Sequence, residues 1–256
     1  MARYQAILAY DGTEFQGFQR QLAARTVQGE VEAALRALGW LDVSILAAGR
    51  TDTGVHATGQ VVAFDFDWRH GEKDLLRALN SELPADIAVL SIGQCEAGFH
   101  PRFDATARRY EYRLFCQEIR HPLRERYAWR VWPPVAPERL RQAAQQLHGS
   151  HDFAAFGSPT QAGGSTIRDV FEAGWQESGD ELLFRIVGNA FLYRMVRRLV
   201  AFLVEIGHAK LAVEELAHRL DNPDASPALG LAPACGLVLA AVEYRPGGMQ
   251  DGLNLE

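Results

Sequence analysis

The order in which strand-like and helix-like apolar patterns follow one another limits the fold of this chain more than any other feature. Residues 3–10 alternate as a strand does and end at the turn signal Asp11-Gly12. Residues 26–38 have apolar side chains at helical spacing, with Thr26 placed to cap the helix and Gly39 to end it. Strands are predicted at 44–48, 60–66 and 87–95, and a second helix at 72–83. This β-α-β-β-α-β order is that of a ferredoxin-like domain.

The second half of the chain repeats this order without repeating the residues. Strands are predicted at 108–116, 127–132, 166–176, 181–187 and 237–244, and helices at 137–148, 191–206 and 213–220. The result is another β-α-β-β-α-β set with an extra hairpin strand and an extra helix. We therefore predict an α+β fold of two ferredoxin-like halves, 1–104 and 105–256. They would form an extended antiparallel sheet with helices on one face and the other face open to a polymer.

Length and composition fit a chain with a packed core, since 48% of its 256 residues are apolar. The longest wholly apolar stretch, 199–204, is too short to cross a bilayer, and the N-terminus has no signal-peptide pattern. These features predict a soluble, cytoplasmic protein without a membrane partner. The three cysteines, Cys95, Cys116 and Cys235, are far apart, which predicts reduced thiols rather than disulfides or a zinc site.

The charge pattern points in two directions. A net charge of −6 opposes binding to a polyanion. However, Lys73 and Lys210 are the only lysines, so nearly all positive charge is arginine, which suits phosphates and base stacking. The arginines cluster at Arg108, Arg109 and Arg113; at Arg120, Arg124 and Arg126; and at Arg194, Arg197 and Arg198. Charge alone favours surface salt bridges over an RNA site.

A glycine-rich loop between the predicted strands at 44–48 and 60–66 holds a candidate catalytic residue, Asp52. The loop reads Gly49-Arg50-Thr51-Asp52-Thr53-Gly54-Val55-His56. Glycine permits unusual backbone and close approach of a substrate, but Asp52 is equally compatible with a turn residue of a polar hairpin loop. A metal site of Asp52, His56 and His100 has weak ligand spacing, so we predict no metal.

The loop resembles the Gly-Arg-Thr-Asp-Ala-Gly-Val-His-Ala segment of the bacterial tRNA pseudouridine synthase A family, with Thr53 in place of alanine. Further segments similar to that family run in order through the chain: Tyr10-Asp11-Gly12-Thr13, Gly17-Phe18-Gln19-Arg20-Gln21, Thr26-Val27-Gln28-Gly29, Ala107-Arg108-Arg109-Tyr110-Glu111-Tyr112, Gly188-Asn189-Ala190-Phe191 and Ala232-Pro233-Ala234. Two segments, 157–160 and 228–231, depart from the family pattern, which puts RNA contacts and site preference in doubt.

The resemblance implies an isomerase that converts uridine to pseudouridine at positions 38, 39 and 40 in the anticodon stem-loop of tRNA. It implies a pseudouridine synthase fold, no cofactor, no metal and a homodimer. Dimerisation would help an acidic protein, because one tRNA could contact arginine clusters of both subunits.

The same resemblance assigns roles to four residues. Asp52 would be the catalytic carboxylate, and Arg197 would be the cation that keeps it ionised in a water-poor pocket. Arg50 would bind RNA and hold the flipped-out nucleotide, and Tyr110 would stack on its uracil. Strand alternation puts Tyr110 and Tyr112 on one face, so the resemblance alone separates Tyr110 from Tyr112, which we expect in the core.

Two other classes of function compete with this hypothesis. Ferredoxin-like halves often bind RNA through aromatic side chains on the sheet, so the chain could be a catalytically silent RNA-binding module. The Asp52 loop argues against that reading, because a binder does not need the carboxylate. A metal-dependent hydrolase using Asp52, His56 and His100 is the third hypothesis, and insensitivity to a strong chelator would dispose of it.

Overall fold

The structure is a computed structural model that describes residues 1–161, 163–222, 228 and 230–245. The chain divides into two units, one of Met1–Ala107 with the described residues from Leu239 onward, and one of Arg108–Val238. The division therefore falls close to the predicted boundary of 104/105. The last strand, however, belongs mainly to the first unit, although it was assigned to the second half.

The first unit has the predicted β-α-β-β-α-β order. Its strand order is β4-β1-β3-β10, and the short β2 pairs with β3. Strand β1 pairs antiparallel with both β3 and β4. The elements are β1 (Ala2–Tyr10), α1 (Val27–Ala37), β2 (Leu46–Ala47), β3 (His56–Phe66), α2 (Glu72–Glu82), β4 (Ile87–Gln94) and β10 (Leu237–Tyr244).

Alternation along β1 explains the core of this unit. Tyr4, Ala6, Leu8 and Tyr10, at every second position of the strand, are all buried, and Gln5 on the other face is buried as well. Both helices bury an apolar stripe and contact each other, so they cover the same face of the sheet. Helix α1 begins as predicted, because the Thr26 hydroxyl accepts a hydrogen bond from the Gly29 N–H at 3.3 Å.

The second unit is a mixed sheet rather than a wholly antiparallel one. Its strand order is β5-β9-β8-β7, and the short β6 pairs in parallel with β5. Strands β8 and β9 form the predicted hairpin. The elements are β5 (Ala105–Cys116), β6 (Trp129–Val131), α3 (Pro137–Gln145), β7 (Gly149–Asp152), β8 (Ile167–Ser178), β9 (Glu181–Gly188), α4 (Met195–Gly207) and α5 (Glu215–Asp221). The α+β class is confirmed.

The three largest differences from the predicted elements each depend on a tertiary contact. Strand β3 begins at His56 rather than at 60, because Tyr10 of β1 pairs with Ala57. Helix α4 begins at Met195 rather than at 191, because the Tyr193 N–H donates to the Ser158 carbonyl at 3.0 Å. Strand β7 was not predicted, and it forms by antiparallel pairing with β8.

The structure bears on two further predictions, those about membrane crossing and about the cysteines. Among the described helices, none combines the length and the apolar character that crossing a bilayer requires. The thiols of Cys95, Cys116 and Cys235 are free and partly buried. Burial raises the pKa of the Cys95 thiol to about 11, so this thiol stays protonated at neutral pH.

Candidate active site

Asp52 opens a tight turn in the loop between β2 and β3. The Val55 N–H donates to the Asp52 carbonyl at 3.1 Å, and Gly54, the third residue of the turn, has φ +77°. A positive φ at that position favours glycine. Asp52 is half-buried, whereas Arg50 is exposed beside it. The loop therefore holds a partly solvent-accessible carboxylate on a backbone of defined conformation.

Thr51, the residue before Asp52, is fixed through both its side chain and its carbonyl. Its hydroxyl lies 2.8 Å from the phenol oxygen of Tyr10 at the end of β1, and the contact is buried. Its carbonyl accepts from the Phe18 N–H at 3.0 Å. Contacts with Tyr10 and with Phe18 thus fix the position of Thr51 and of the turn that begins at Asp52.

Two glycines let the segment between β1 and α1 pass directly against the Asp52 loop. A Cβ on Gly12 would lie 2.0 Å from the Val55 carbonyl oxygen. Gly17 has φ +86°, and a Cβ there would lie 2.9 Å from the Thr51 carbonyl oxygen. The Gly54 N–H also donates to the Phe15 carbonyl at 3.3 Å. These glycines serve close approach, a role that sequence reasoning missed although the family-like segments contain both.

Helix α1 also holds the segment between β1 and α1 through hydrogen bonds. The first N–H groups of a helix have no partner within it, and here those of Val27 and Gln28 donate to the carbonyls of Gly17 and Phe18 at 3.3 and 2.9 Å. Phe18 is thus bonded to α1 through its carbonyl and to Thr51 through its N–H.

A buried carboxylate, Glu32, holds the same segment through an ion pair and hydrogen bonds. Glu32 accepts from the Gln28 side chain at 2.8 Å and from the Ile45 N–H at 3.2 Å, and it pairs with Arg20. A fully buried carboxylate is tolerated only when it is paired and hydrogen-bonded. Glu32 therefore ties the Arg20 segment to α1 and to the residues that lead into β2. No role was predicted for Glu32 from the sequence.

The structure gives the metal hypothesis no support. The Nδ1 atom of His56 accepts from the Gly12 N–H at 3.0 Å, and Nδ1 of His100 accepts from the Arg102 N–H at 3.1 Å. Both nitrogens are thus engaged by the backbone. Within the described ranges, no group of three or more His, Cys, Asp or Glu side chains could hold a metal ion. The alternative set of Asp52, His56 and His100 is not such a group.

The second unit distinguishes the two tyrosines of β5. Tyr112 is fully buried, and its phenol donates to the Pro233 carbonyl at 2.9 Å. Burial raises the pKa of this phenol well above its ordinary value, with the nearby Cys235 adding to the effect, so the Tyr112 phenol stays protonated at neutral pH. Tyr110 is only half-buried, and its ring meets Phe191 edge-on at 5.0 Å between centroids. Tyr112 is a core residue as expected, whereas Tyr110 is not fully buried.

Arg197 lies in the first turn of α4 and is bonded to the segment that leads into β10. Its Nε donates to the Ala232 carbonyl at 2.8 Å, and its own carbonyl accepts from the Ala232 N–H at 3.1 Å. This double contact fixes the guanidinium stem. The helix predicted at 191–206 would include Arg194, Arg197 and Arg198, but Arg194 precedes the observed helix with φ +61°, so only Arg197 and Arg198 lie within it.

The two segments that depart from the family pattern both make backbone contacts within the second unit. Ser158 forms an isolated β-bridge with Tyr193, just before α4. The Ala228 N–H donates to the Ala155 carbonyl at 2.8 Å. Leu229, in the other departing segment 228–231, lies outside the described residues, as does Pro223, which follows the helix predicted at 213–220.

Comparison with known proteins identifies the family. A family model described as tRNA pseudouridine synthase matches residues 6–104 and 143–245. The chain belongs to the tRNA pseudouridine synthase family. Asp52 and Arg50 lie in the first matched segment of the family model, Arg197 lies in the second, and Tyr110 lies between them.

Bacterial members of the family resemble the chain over nearly its full length. The tRNA pseudouridine synthase A of Latilactobacillus sakei is 39% identical over 246 residues, covering 95% of this chain and 99% of the relative. That of Pseudothermotoga lettingae is 40% identical, covering 95% and 100%. That of Halalkalibacterium halodurans is 41% identical, covering 93% and 91%. The resemblance inferred from the Asp52 loop is confirmed.

Proposed function

We propose that this protein converts uridine to pseudouridine in tRNA, with Asp52 as the catalytic carboxylate. The observation that carries the proposal is family membership over nearly the whole chain. The Asp52 loop is also complete, and backbone hydrogen bonds hold it in place. A protein that only bound RNA would have no use for a carboxylate held in this way.

The proposed reaction is an isomerisation. The bond between C1′ of the ribose and N1 of the uracil breaks, the base turns, a bond forms between C1′ and C5, and the proton on C5 leaves while N1 gains one. No electron is lost or gained overall, so the chemistry needs no redox cofactor. The Asp52 carboxylate acts at the ribose, either as the nucleophile at C1′ or as a base.

Three further residues complete the proposal. Arg50, exposed two positions before Asp52, binds the phosphate backbone around the flipped-out uridine. Tyr110, which is half-buried, stacks on the uracil. Arg197, whose Nε donates to the Ala232 carbonyl, supplies the positive charge that the family resemblance assigns to the partner of Asp52. In this proposal the half at 1–104 carries the catalytic loop and the half at 105–256 carries the stacking tyrosine.

The substrate uridines are proposed to be those at positions 38, 39 and 40 of the anticodon stem-loop. The protein is further proposed to act as a homodimer in the cytoplasm, where its tRNA substrate is found. A second subunit would add arginines to the surface that one tRNA contacts, which compensates in part for a net charge of −6 per chain.

Tritium release from tRNA labelled at uracil C5 tests the proposal. The protein is incubated with an unmodified transcript and a strong chelator, first with uridines at 38–40 and then with each replaced by cytidine. We expect release that falls with each replacement and that the chelator does not affect. Release that persists when all three are replaced would refute the positions, and no release from any tRNA would refute the activity.

A further inference from the structure

We infer that His56 is a positioning residue for Asp52, acting through the backbone of Gly12. This inference rests on the proposed function, since it concerns the same loop. His56 is the first residue of β3, and only 5% of it is exposed to solvent. The side chain is therefore almost completely shielded from solvent.

The hydrogen bond from Gly12 defines the state of the imidazole. A backbone N–H can only donate, so Nδ1 of His56 must offer its lone pair at 3.0 Å, and the neutral ring carries its proton on Nε2. Asp11 Oδ1 lies 3.2 Å from the same nitrogen, but this oxygen accepts from the N–H and the hydroxyl of Thr13 at 3.0 and 2.5 Å. Nδ1 is thus left to hold Gly12.

Gly12 packs tightly against the turn that begins at Asp52. The backbone of Gly12 passes so near the Val55 carbonyl that a Cβ would lie 2.0 Å from its oxygen. The N–H of the same Val55 donates to the Asp52 carbonyl at 3.1 Å. A contact this close transmits any displacement of Gly12 to the turn. His56 therefore sets the position of Asp52 without touching the substrate.

Removal of the Nδ1 acceptor should reduce turnover more than it reduces tRNA binding. Displacement of a reacting group by about 1 Å can cost about 100-fold in rate. We expect His56→Leu to lower kcat by about 10- to 100-fold, while KM for tRNA changes less than about 3-fold. His121→Leu is the matched control, because Nδ1 of His121 also accepts from a backbone N–H, that of Arg124 at 3.4 Å. Its kcat should equal that of wild type.

Two conservative variants separate positioning from general stability. The amide oxygen of asparagine falls near the place of Nδ1, whereas glutamine puts its amide near Nε2. We expect His56→Asn to recover most of the lost kcat and His56→Gln not to recover it, with similar unfolding midpoints. Equal kcat for the two, or losses that follow the midpoints, would overturn the inference even if wild type is fully active. This pair decides the question if His56→Leu fails to fold.

The tautomer gives a test that does not depend on activity. Nitrogen-15 chemical shifts of labelled histidine in the free protein should show His56 with an unprotonated Nδ1 and a protonated Nε2 at neutral pH. A protonated Nδ1 would contradict the Gly12 contact and the inference with it. A wild type without tritium release would instead refute the proposed function and leave this measurement unaffected.

Discussion

The phenol oxygen of Tyr10 and the hydroxyl oxygen of Thr51 lie 2.8 Å apart in a buried contact at the residue directly before Asp52. Tyr10 ends β1, so this bond connects the sheet of the first unit to the catalytic loop. A net contribution of about 0.5–1.5 kcal/mol is typical of such a bond.

Tyr10→Phe should lower the free energy of unfolding by about 1 kcal/mol, because the Thr51 hydroxyl loses a buried partner. Urea denaturation of Tyr10→Phe, Thr51→Val and the double variant measures the effect as a double-mutant cycle. We expect the double variant to be more stable than the sum of the two losses indicates. Simple additivity would show that the two hydroxyls do not interact.

Gly17→Ala should impair both stability and turnover, because the new methyl group would meet the Thr51 carbonyl oxygen at 2.9 Å on a backbone with φ +86°. Gly39→Ala is the matched control, since Gly39 has φ +97° but open space around its Cβ. The control should cost only the strain of a left-handed residue, about 1–2 kcal/mol, with kcat unchanged. Equal kcat for the two variants would show that the approach of Gly17 to the loop has no role in catalysis.

The two tyrosines of β5 should respond to substitution in opposite ways. Tyr110→Ala removes a stacking surface worth about 1–3 kcal/mol, so tritium release should fall by about 5- to 150-fold with little change in stability. Tyr112→Phe removes the bond to the Pro233 carbonyl, so stability should fall by about 1 kcal/mol. Steady-state kinetics and urea denaturation of both variants check this. A loss of turnover confined to Tyr112→Phe would reverse the assignment.

The ion pair between Arg3 and Asp65 predicts part of the acid sensitivity of the first unit. The two residues face each other across β1 and β3, and Arg3 contacts both carboxylate oxygens, at 2.8 and 2.6 Å. The hydrogen bond from Arg3 lowers the pKa of the Asp65 carboxyl. Its contribution to stability is therefore present above the unfolded pKa of about 3.9 and is lost as the pH falls through the lower folded value.

Asp65→Asn should accordingly flatten the acid limb of stability. Free energies of unfolding in urea at pH 7 and pH 3 should differ less for Asp65→Asn than for wild type. Asp67→Asn, at an exposed position two residues along, is the control and should keep the wild-type difference. An unchanged difference in Asp65→Asn would remove this ion pair from the acid response.

Local signals were enough to predict most elements of the fold. The cap at Thr26, the stop at Gly39 and the apolar stripe between them are properties of a single segment, and α1 matches them. The true starts of β3 and α4 depend on contacts of Tyr10 with Ala57 and of Tyr193 with Ser158. Such pairings join residues that are far apart in sequence, so periodicity within one segment does not contain them.

The candidate site divides in the same way. The Asp52 loop was recognisable because its residues are consecutive. The roles of Gly12 and Gly17 were not, since their glycine is required by the Val55 and Thr51 carbonyls that they approach across the fold. Burial likewise separates Tyr110 from Tyr112, although strand alternation puts both on one face.

The central claim is that Asp52 performs catalysis, and one comparison tests it most directly. Wild type and Asp52→Ala are assayed side by side for tritium release from unmodified tRNA labelled at uracil C5, with tRNA binding measured by filter retention. The account predicts release by wild type, no detectable release by Asp52→Ala, and binding by both. Release by Asp52→Ala at the wild-type rate would contradict it.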